Sequence, residues 1–386
     1  MSKLDSFKDD DSNAALGISL LNWVSVLFLA YFLLCAVGLL EAGFRTLYAD
    51  HAEHLIQAAT NPITGVCVGI LATALVQSSS VTTSILVGFV AGGLPIEVAI
   101  PIVMGANFGT TLTNTIVALG FAANREELKR AFAAASVHDC FNLLCIAFFL
   151  PLELMFGIFE KMIHGILSIL PNASFVHHDL TETFNFISAA TAPFVQEVAN
   201  GVSTLPYPGA GASLIAIGLC LVVFCIHFMK SLLRALLVGS SKRIAETALN
   251  HGPVAGVASG CAATMLTQSS STTTSLVVPL VGSGALTTRQ VYPFTLGANI
   301  GTCITAILAA FAVTGARNEA FELAFIHLLY NVLGVSIVLA VPKLRYLPAA
   351  LAERLSTATQ GKRVWIITYL ALAFFVVPAL GILALG

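Results

Sequence analysis

Long stretches without a charged side chain limit what this chain can fold into more than any other feature. Asp, Glu, Lys and Arg are absent from residues 55–96 and 247–288, and again from residues 98–124 and 290–316. Only 10% of the 386 residues are charged, whereas soluble domains contain about 25%. Such a composition cannot cover a water-exposed surface, and a net charge of −2 offers no basic surface to nucleic acid. The sequence therefore excludes a soluble enzyme, a disordered chain and a nucleic-acid-binding protein, and predicts an all-α polytopic membrane protein in a lipid bilayer.

The charge-free stretches belong to an internal duplication. Residues 62–89 and 253–280 align without a gap and are identical at 15 of 28 positions. The string GANFGT that begins at Gly105 is answered by GANIGT from Gly297, and His138 is answered by His327. The chain therefore contains two copies of one ancestral unit.

Each copy is predicted to contain a re-entrant helical hairpin followed by a broken transmembrane helix. The apolar stretch 62–93 is interrupted at its centre by Gln-Ser-Ser-Ser, and neither flank is long enough to cross the hydrocarbon. The next stretch, 95–122, is expected to be a helix broken at Gly105–Gly109. A span at 128–150 follows, which 152–170 is expected to continue. The second copy repeats the same pattern over 253–341.

The distribution of Lys and Arg predicts how the chain is oriented. Basic segments at 230–243 and 343–363 are expected at the cytoplasmic face, and the loop 171–210, which has no Lys or Arg, is expected outside. The two repeats then have inverted topology, and both tails lie in the cytoplasm. The predicted organisation is a tail and first span (1–54), repeat 1 (55–170), an external loop (171–210), a span with a basic segment (211–250), repeat 2 (251–342), and a basic segment with the last span (343–386).

The serine runs at the two hairpin tips predict an anion site. An isolated Ser in a membrane helix usually bonds to a helix carbonyl or packs closely. Four consecutive hydrogen-bonding side chains, present twice, carry more donors than that role needs and are costly against lipid. Each run also begins a predicted helix, whose free N–H groups and positive dipole end attract anions. The predicted substrate-binding residues are Ser78, Ser79 and Ser80 at the first tip and Ser269, Ser270 and Ser271 at the second.

The Gly-Ala-Asn-X-Gly-Thr motifs predict oxygen ligands for a hard cation such as sodium. Their glycines alone could serve close packing or a kink, but Asn107, Asn299 and Thr302 add side-chain oxygens beside carbonyls that are expected to be unwound. Asp139 is the only carboxylate of its predicted span, and an intramembrane Asp is a functional candidate. His138 and its counterpart in the second copy are expected to make structural hydrogen bonds.

Other functional classes fit the sequence less well. A hydrolase using Ser79, His138 and Asp139 lacks the Gly-X-Ser-X-Gly elbow, and adjacent residues on a helix point about 100° apart. The second copy has no counterpart of the Asp, so the chain is not expected to be an enzyme. An anion-selective channel stays open, because re-entrant hairpins also line pores.

Five strings together resemble the type II sodium-coupled phosphate cotransporters, in a compact bacterial form. They are QSSSVTTS at 77–84, GANFGTTLTNTIVAL at 105–119, VHDCFNLL at 137–144, QSSSTTTS at 268–275 and YPFTLGANIGTCITAILAA at 292–310. The resemblance implies import of inorganic phosphate across the cell (inner) membrane by alternating access, with sodium as co-substrate and no other cofactor. Symport of another oxyanion stays open, and so does a homodimer.

The resemblance also implies roles for individual residues. Asp139 lies where electrogenic members carry Asp and the electroneutral type carries Gly, which implies an additional sodium ion and net charge movement. Ala106 and Ala298 stand where animal members usually have Ser, so hydroxyl contacts to sodium are not expected there. Ser79, Ser80, Ser270 and Ser271 are similar to phosphate ligands, and the sodium-binding or ion-facing set comprises Gln77, Gln268, Asn107, Asn299, Asp139, Asn142, Thr302 and Thr305.

Overall fold

The computed structural model describes residues 21–47, 61–169, 185–248, 252–313 and 317–386. Within these ranges the chain forms helices joined by turns, and no strand occurs in them. Seven of the described helices are long and apolar enough to cross a membrane, which confirms the predicted all-α polytopic fold. They are Leu21–Leu47, Ile96–Leu119, Arg125–Phe156, Gly209–Met229, Thr288–Ala312, Asn318–Ala340 and Arg363–Leu385.

Short helices alternate with these long ones. The described chain is helical because a chain in lipid must satisfy its backbone hydrogen bonds internally. The first part of the chain contains α1 (Leu21–Leu47), α2 (Pro62–Val76), α3 (Ser79–Ala91), α4 (Ile96–Gly109), α5 (Leu112–Leu119), α6 (Arg125–Phe156), α7 (Ile158–Ile169) and α8 (Asn185–Val202). The remainder contains α9 (Gly209–Ala248), α10 (Pro253–Thr267), α11 (Ser270–Ser275), α12 (Val278–Gly282), α13 (Thr288–Ala312), α14 (Arg317–Ala340), α15 (Leu347–Ala358), α16 (Arg363–Ala371) and, after a π-helical turn at Leu372–Val376, α17 (Val377–Leu385).

The predicted interruption of each hairpin is present in the structure. We call α2 and α3 hairpin 1, and α10 to α12 hairpin 2. Gln77 follows α2 in the left-handed conformation, and Ser78 then caps α3. Gln268 and Ser269 do the same between α10 and α11. The largest apolar cluster of the described residues joins both copies, with α3, α4 and α6 packed around α13 and α14.

Glycines allow the first helix of each hairpin to contact the following long helix along its backbone. A Cβ atom on Gly105 would lie 2.1 Å from the carbonyl oxygen of Val66. A Cβ atom on Gly297 would lie 1.9 Å from the carbonyl oxygen of Val257. No side chain fits at such distances, so close packing, which the sequence left open as a role for these glycines, is the role that these two have.

The predicted helix break is present only in the first copy. There α4 ends at Gly109 and α5 begins at Leu112, so the break follows the motif instead of lying within Gly105–Gly109. The N–H and hydroxyl of Thr111 both donate to the carbonyl of Phe108 at 3.1 and 2.8 Å, which replaces the regular helical pattern by a tighter turn.

In the second copy the predicted broken helix is wrong, because α13 is continuous from Thr288 to Ala312. The residue equivalent to Thr111 is Cys303, whose thiol lies 3.5 Å from the carbonyl oxygen of Asn299, four residues earlier. A thiol is a weaker donor than a hydroxyl. It therefore competes less with the helical hydrogen bonds.

Two further expectations about the first copy need correction. The span through α6 does not continue over 152–170, because Gly157 adopts φ 56° and ends the helix, with its N–H donating to the carbonyl of Glu153 at 2.7 Å. The predicted loop 171–210 contains the helix α8 instead. Apolar contact with α1 stabilises α8, since the rings of Phe32 and Phe194 meet edge to face at 5.3 Å; residues 170–184 lie outside the described ranges.

The glycine contacts lead to a prediction about stability. Gly297→Ala should destabilise the protein by about 1–3 kcal/mol, because overpacking a filled interior forces the backbones apart. The thermal midpoint in detergent measures this effect. Gly165→Ala is the matched control, since nothing lies within 4 Å of the Cβ that it adds. Equal midpoints for the two variants would contradict the close-packing role of Gly297.

Candidate functional site

The tips of the two hairpins line one cavity of about 420 Å³. Gln77 and Ser78 contribute from hairpin 1, and Ser269 and Ser271 contribute from hairpin 2. The two serine runs are separated by almost half of the sequence, and the fold brings them to a common space. The rest of the wall consists of Val76, Val81, Thr113, Thr272 and four residues of α9, namely Val223, Ile226, His227 and Ser231.

The other predicted serines are buried beside the cavity. Ser79, Ser80 and Ser270 are each at most 4% exposed and occupy the first turns of α3 and α11. Threonines one turn later take the back-bonding role that an isolated serine often has in a membrane helix. Thr83 donates to the carbonyl of Ser79 at 2.9 Å, and Thr274 donates to that of Ser270 at 2.8 Å.

Each tip is shaped by a glutamine in a conformation that side chains seldom adopt. Gln77 has φ 54° and Gln268 has φ 52°, and left-handed backbone at a residue other than Gly costs about 1–3 kcal/mol. The Oγ of Ser78 then accepts from the N–H of Val81 at 3.4 Å, and that of Ser269 accepts from Thr272 at 3.2 Å. This reversal allows a polar tip to end inside the protein.

The two tips differ in the length of the helix that follows. The helix after the first tip has 13 residues, whereas α11 has six. Pro279 explains the difference, because its ring clashes with the carbonyl four residues earlier and it offers no N–H to continue the helix. The predicted helix dipole is therefore small at the second tip, where hydroxyl groups are the main polar groups facing the cavity.

A buried hydrogen-bond network joins Asn107 of the first copy to the second copy. His327 Nε2 donates to Asn107 Oδ1 at 3.0 Å, and Asn107 Nδ2 donates to Asn331 Oδ1 at 3.3 Å. The backbone carbonyl of Asn107 also accepts from Asn142 Nδ2 at 2.8 Å. All four side chains are at most 3% exposed.

The mirrored bonds join Asn299 of the second copy to the first. His138 Nε2 donates to Asn299 Oδ1, and Asn299 Nδ2 donates to Asn142 Oδ1 at 2.7 Å. Each motif Asn thus contacts a His and an Asn from α6 or α14 of the opposite copy. Both histidines have the structural bonds that the sequence predicted.

This network changes the interpretation of the predicted sodium ligands. The carbonyls of both Gly-Ala-Asn segments lie within helices and are not unwound, which corrects the expectation. The side-chain oxygens of Asn107, Asn142 and Asn299 each already accept a hydrogen bond. Thr302 donates to the carbonyl of Ala298 at 3.0 Å. Asn107, Asn142 and Asn299 of the predicted set therefore meet in this network, where their side-chain oxygens bond to other protein groups.

Two members of the predicted sodium set meet at the second hairpin tip. The hydroxyl of Thr305 donates to Gln268 Oε1 at 2.9 Å, and Gln268 Nε2 donates to the carbonyl of Met265 at 2.7 Å. The Gln268 side chain thus ties the tip to α13. This contact agrees with the tip-fixing role that the resemblance implies for the glutamines.

Asp139 occupies a separate place from the cavity. It is 1% exposed, and its Oδ2 accepts from the hydroxyl of Tyr369 at 2.7 Å. Its Oδ1 has no hydrogen-bond partner among the described residues. Thr111, in the break between α4 and α5, faces the same carboxylate. A buried carboxylate with an unpaired oxygen beside irregular backbone is suited to bind a cation.

Sequence reasoning missed two residues of these sites, His227 in the cavity wall and Tyr369 beside Asp139. Neither residue belongs to a motif that occurs in both copies. A histidine in a candidate span was the available signal for the first. No sequence signal could have paired Tyr369 with a carboxylate that lies 230 positions away.

The mirrored network leads to a second prediction about stability. His138→Ala and His327→Ala should each lower the free energy of unfolding by about 1–3 kcal/mol, because each leaves the opposite Asn oxygen buried without its donor. Thermal midpoints in detergent test this, with His164→Ala as control, since the His164 side chain is 70% exposed. A loss in one variant and not in the other would contradict the mirrored role.

Comparison with known proteins agrees with this architecture. A family model described as Na+/Pi-cotransporter matches twice, at residues 32–164 and 221–353, and so covers both copies. Sodium-dependent phosphate transport protein 2A of Ovis aries is 32% identical over 434 aligned positions, which cover 94% of this chain and 68% of that protein. The Mus musculus 2A protein is 33% identical, covering 95% and 68%. The Homo sapiens 2B protein is 29% identical, covering 90% and 63%.

No solved structure matches the chain significantly. The double family match spans more than half of the chain, and the 2A proteins are covered over two thirds of their own length. The family consists of transporters, which agrees with the expectation that this chain is not an enzyme. The chain belongs to the Na+/Pi-cotransporter family.

Proposed function

We propose that the chain binds phosphate between its two hairpin tips and imports it together with sodium by alternating access. Membership in the Na+/Pi-cotransporter family supports sodium-coupled phosphate symport by a multi-pass membrane protein, with sodium as co-substrate. The observation that carries the proposed site is the shared cavity, whose wall includes Ser78 from one copy and Ser269 and Ser271 from the other.

The chemistry of the wall suits an oxyanion. Hydroxyl and amide groups from both tips face a cavity of about 420 Å³, which exceeds the volume of one phosphate ion and leaves space for water. The described lining contains no Asp, Glu, Lys or Arg. Neutral donors can replace part of the hydration of an anion without holding it as firmly as a fixed cation would. Buried Ser79, Ser80 and Ser270 belong to the proposed ligand set through small movements of the tips.

We assign one proposed sodium site to Asp139. A bound cation there would pair with the unpartnered Oδ1, and Tyr369 would hold the other oxygen in place. Sodium binding would also remove the cost of burying an ionised carboxylate. Gln268 and Thr305 form a second proposed position, next to the phosphate cavity.

The other predicted sodium ligands, Gln77, Asn107, Asn142, Asn299 and Thr302, stay predictions. A homodimer likewise stays a prediction.

We propose inverted topology for the two copies, because the bases of their hairpins lie near opposite ends of α6. Near the start of α6, Arg130 Nε donates to the carbonyl of Gly282, where hairpin 2 ends. Near the other end of α6, Glu153 is close enough to Glu160 to interact with it electrostatically. Glu97, which follows hairpin 1, interacts with Glu160 in the same way. The hairpins thus have their bases at opposite ends of α6.

The same charges support an orientation. Lys129 and Arg130 lie at the end of α6 that packs against α15, since the carbonyl of Lys129 accepts from Ser356. Glu126 and Glu127 also lie at this end, but Lys and Arg decide the orientation, and the opposite end has Lys161 against Arg125, Lys129 and Arg130 at this one. The basic end is therefore proposed as cytoplasmic, in the inner membrane.

The first helix, α1, would then begin at the cytoplasmic face, because its other end at Glu41 packs against Gly92 at the base of hairpin 1. The last helix would end at the opposite face, because the carbonyl of Leu385 accepts from Asn61 Nδ2 at the same base, so the predicted cytoplasmic C-terminal tail does not fit this orientation. The cavity wall at Ser231, beside the basic segment, would face inward.

Transport then follows from charge neutralisation. A divalent anion alone cannot enter the low-dielectric interior at an acceptable cost. Sodium binds first and compensates the carboxylate of Asp139, phosphate docks at the tips, and the loaded protein changes its accessible side. Each elementary charge moved is worth about 2.3 kcal/mol per 100 mV, so one net charge aids accumulation.

The proposed phosphate site is tested with Ser271→Leu. The added side chain should fill the cavity and remove a hydroxyl, so uptake of labelled phosphate into proteoliposomes under an inward sodium gradient should fall at least about tenfold. Ser283→Leu, at an exposed position outside the cavity, is the control. Unchanged uptake by Ser271→Leu would contradict the site.

Two measurements on the wild-type chain test the alternatives. Accumulation that collapses without sodium excludes a channel, and competition by sulfate or arsenate tests whether another oxyanion is the substrate.

The proposed sodium site is tested with Asp139→Gly. Removing the carboxylate should give electroneutral transport with one fewer sodium per phosphate, which is measured as current and as the ratio of labelled sodium to phosphate. The matched control is Leu328→Gly, which places glycine at the equivalent helical position of the second copy. An unchanged current per phosphate in Asp139→Gly would overturn the role of Asp139.

A further inference from the structure

The cavity between the hairpin tips has a third wall, formed by α9. This helix belongs to neither hairpin, yet Val223, Ile226, His227 and Ser231 line the cavity from one of its faces. Their spacing of three and four residues is that of a single helical face. His227 is exposed, and its ring meets that of Phe228 at 5.4 Å.

His227 is chemically different from the rest of the described wall. The other lining residues are apolar or carry neutral hydroxyl or amide groups. An imidazole always offers at least one N–H donor, and it gains a positive charge within the pH range from 5 to 8. A donor of this kind beside hydroxyl groups is complementary to a phosphate oxygen.

Building on the proposed phosphate site, we propose that His227 is an anion-binding residue of the cavity. Its imidazole donates a hydrogen bond to the transported phosphate from α9, which adds a further donor to the hydroxyl and amide groups of the wall.

The surroundings of His227 contain few competing charges. The segments α3 and α10, which pack against α9, contain no Asp, Glu, Lys, Arg or His, and Cys261 is the one titratable side chain of α10. On α8 the charged residue is Glu197, and on the described part of α1 they are Glu41 and Arg45, none of which lines the cavity. On α9 itself the nearest titratable or charged residues are Cys225 and Lys230.

The experiment compares the wild-type chain with His227→Gln in proteoliposomes, with equal pH on both sides. Initial rates of labelled phosphate uptake give the KM for phosphate and for sodium at pH 6 and at pH 8. The ratio of the two phosphate KM values, variant over wild type, removes the titration of phosphate itself. His164→Gln, at an exposed position outside the cavity, is the control. His227→Asn is a second variant in case the first is poorly folded.

The ratio should be about threefold or more at both pH values, because the variant loses a hydrogen bond to the anion. The KM for sodium should stay within about twofold of wild type, which a structural defect would not produce. Equal phosphate KM values for variant and wild type at both pH values would overturn the proposal. The proposed function fails separately, if the wild-type chain itself shows no sodium-dependent uptake.

Discussion

The hydrogen bonds that Asn107 and Asn299 exchange with the opposite copy are the interaction on which the rest of the structure depends. An amide in the interior of a membrane protein has no water to bond with, and leaving it unpaired costs several kcal/mol. Each motif Asn finds its side-chain partners on α6 or α14 of the other copy. Neither copy can therefore satisfy its polar centre alone. The same packing brings two tips that are distant in sequence to one cavity.

The two copies nevertheless differ where charge is concerned. The first copy has both the helix break, at Thr111, and the buried carboxylate of Asp139 that faces it. The second copy has a continuous helix through Cys303 and an apolar residue, Leu328, in place of the Asp. Irregular backbone and a carboxylate thus occur together, as a cation site requires. The duplication has kept the frame symmetric while the proposed cation site at Asp139 belongs to one copy.

The neutral wall of the proposed phosphate cavity suits a transporter that must release its substrate. Hydroxyl groups at Ser269 and Ser271 can bind an oxyanion without a permanent opposite charge. Binding has to be favourable enough for entry and weak enough for exit. The strained backbone at Gln77 and Gln268 is the local cost of presenting those groups away from lipid. The proposed role of His227 adds one further hydrogen-bond donor to this wall.

The membrane class, the duplication and the interruption of both hairpins could be predicted from the sequence, because they depend on local quantities. The length of an apolar run is set by the bilayer thickness, and Gln-Ser-Ser-Ser interrupts such a run whatever surrounds it. Resemblance of the motifs to a known family then indicated the transported ions. These conclusions needed no knowledge of which helices touch.

Only the tertiary structure decided which polar groups meet. The two Gly-Ala-Asn motifs look alike in sequence, yet α4 ends after the first and α13 continues through the second, because Thr111 and Cys303 bond differently to the backbone. A sequence likewise does not show that α8 packs on α1, that His227 reaches the cavity or that Tyr369 meets Asp139. Periodicity and composition describe one segment at a time, whereas hydrogen bonds across segments depend on how the helices are arranged in space.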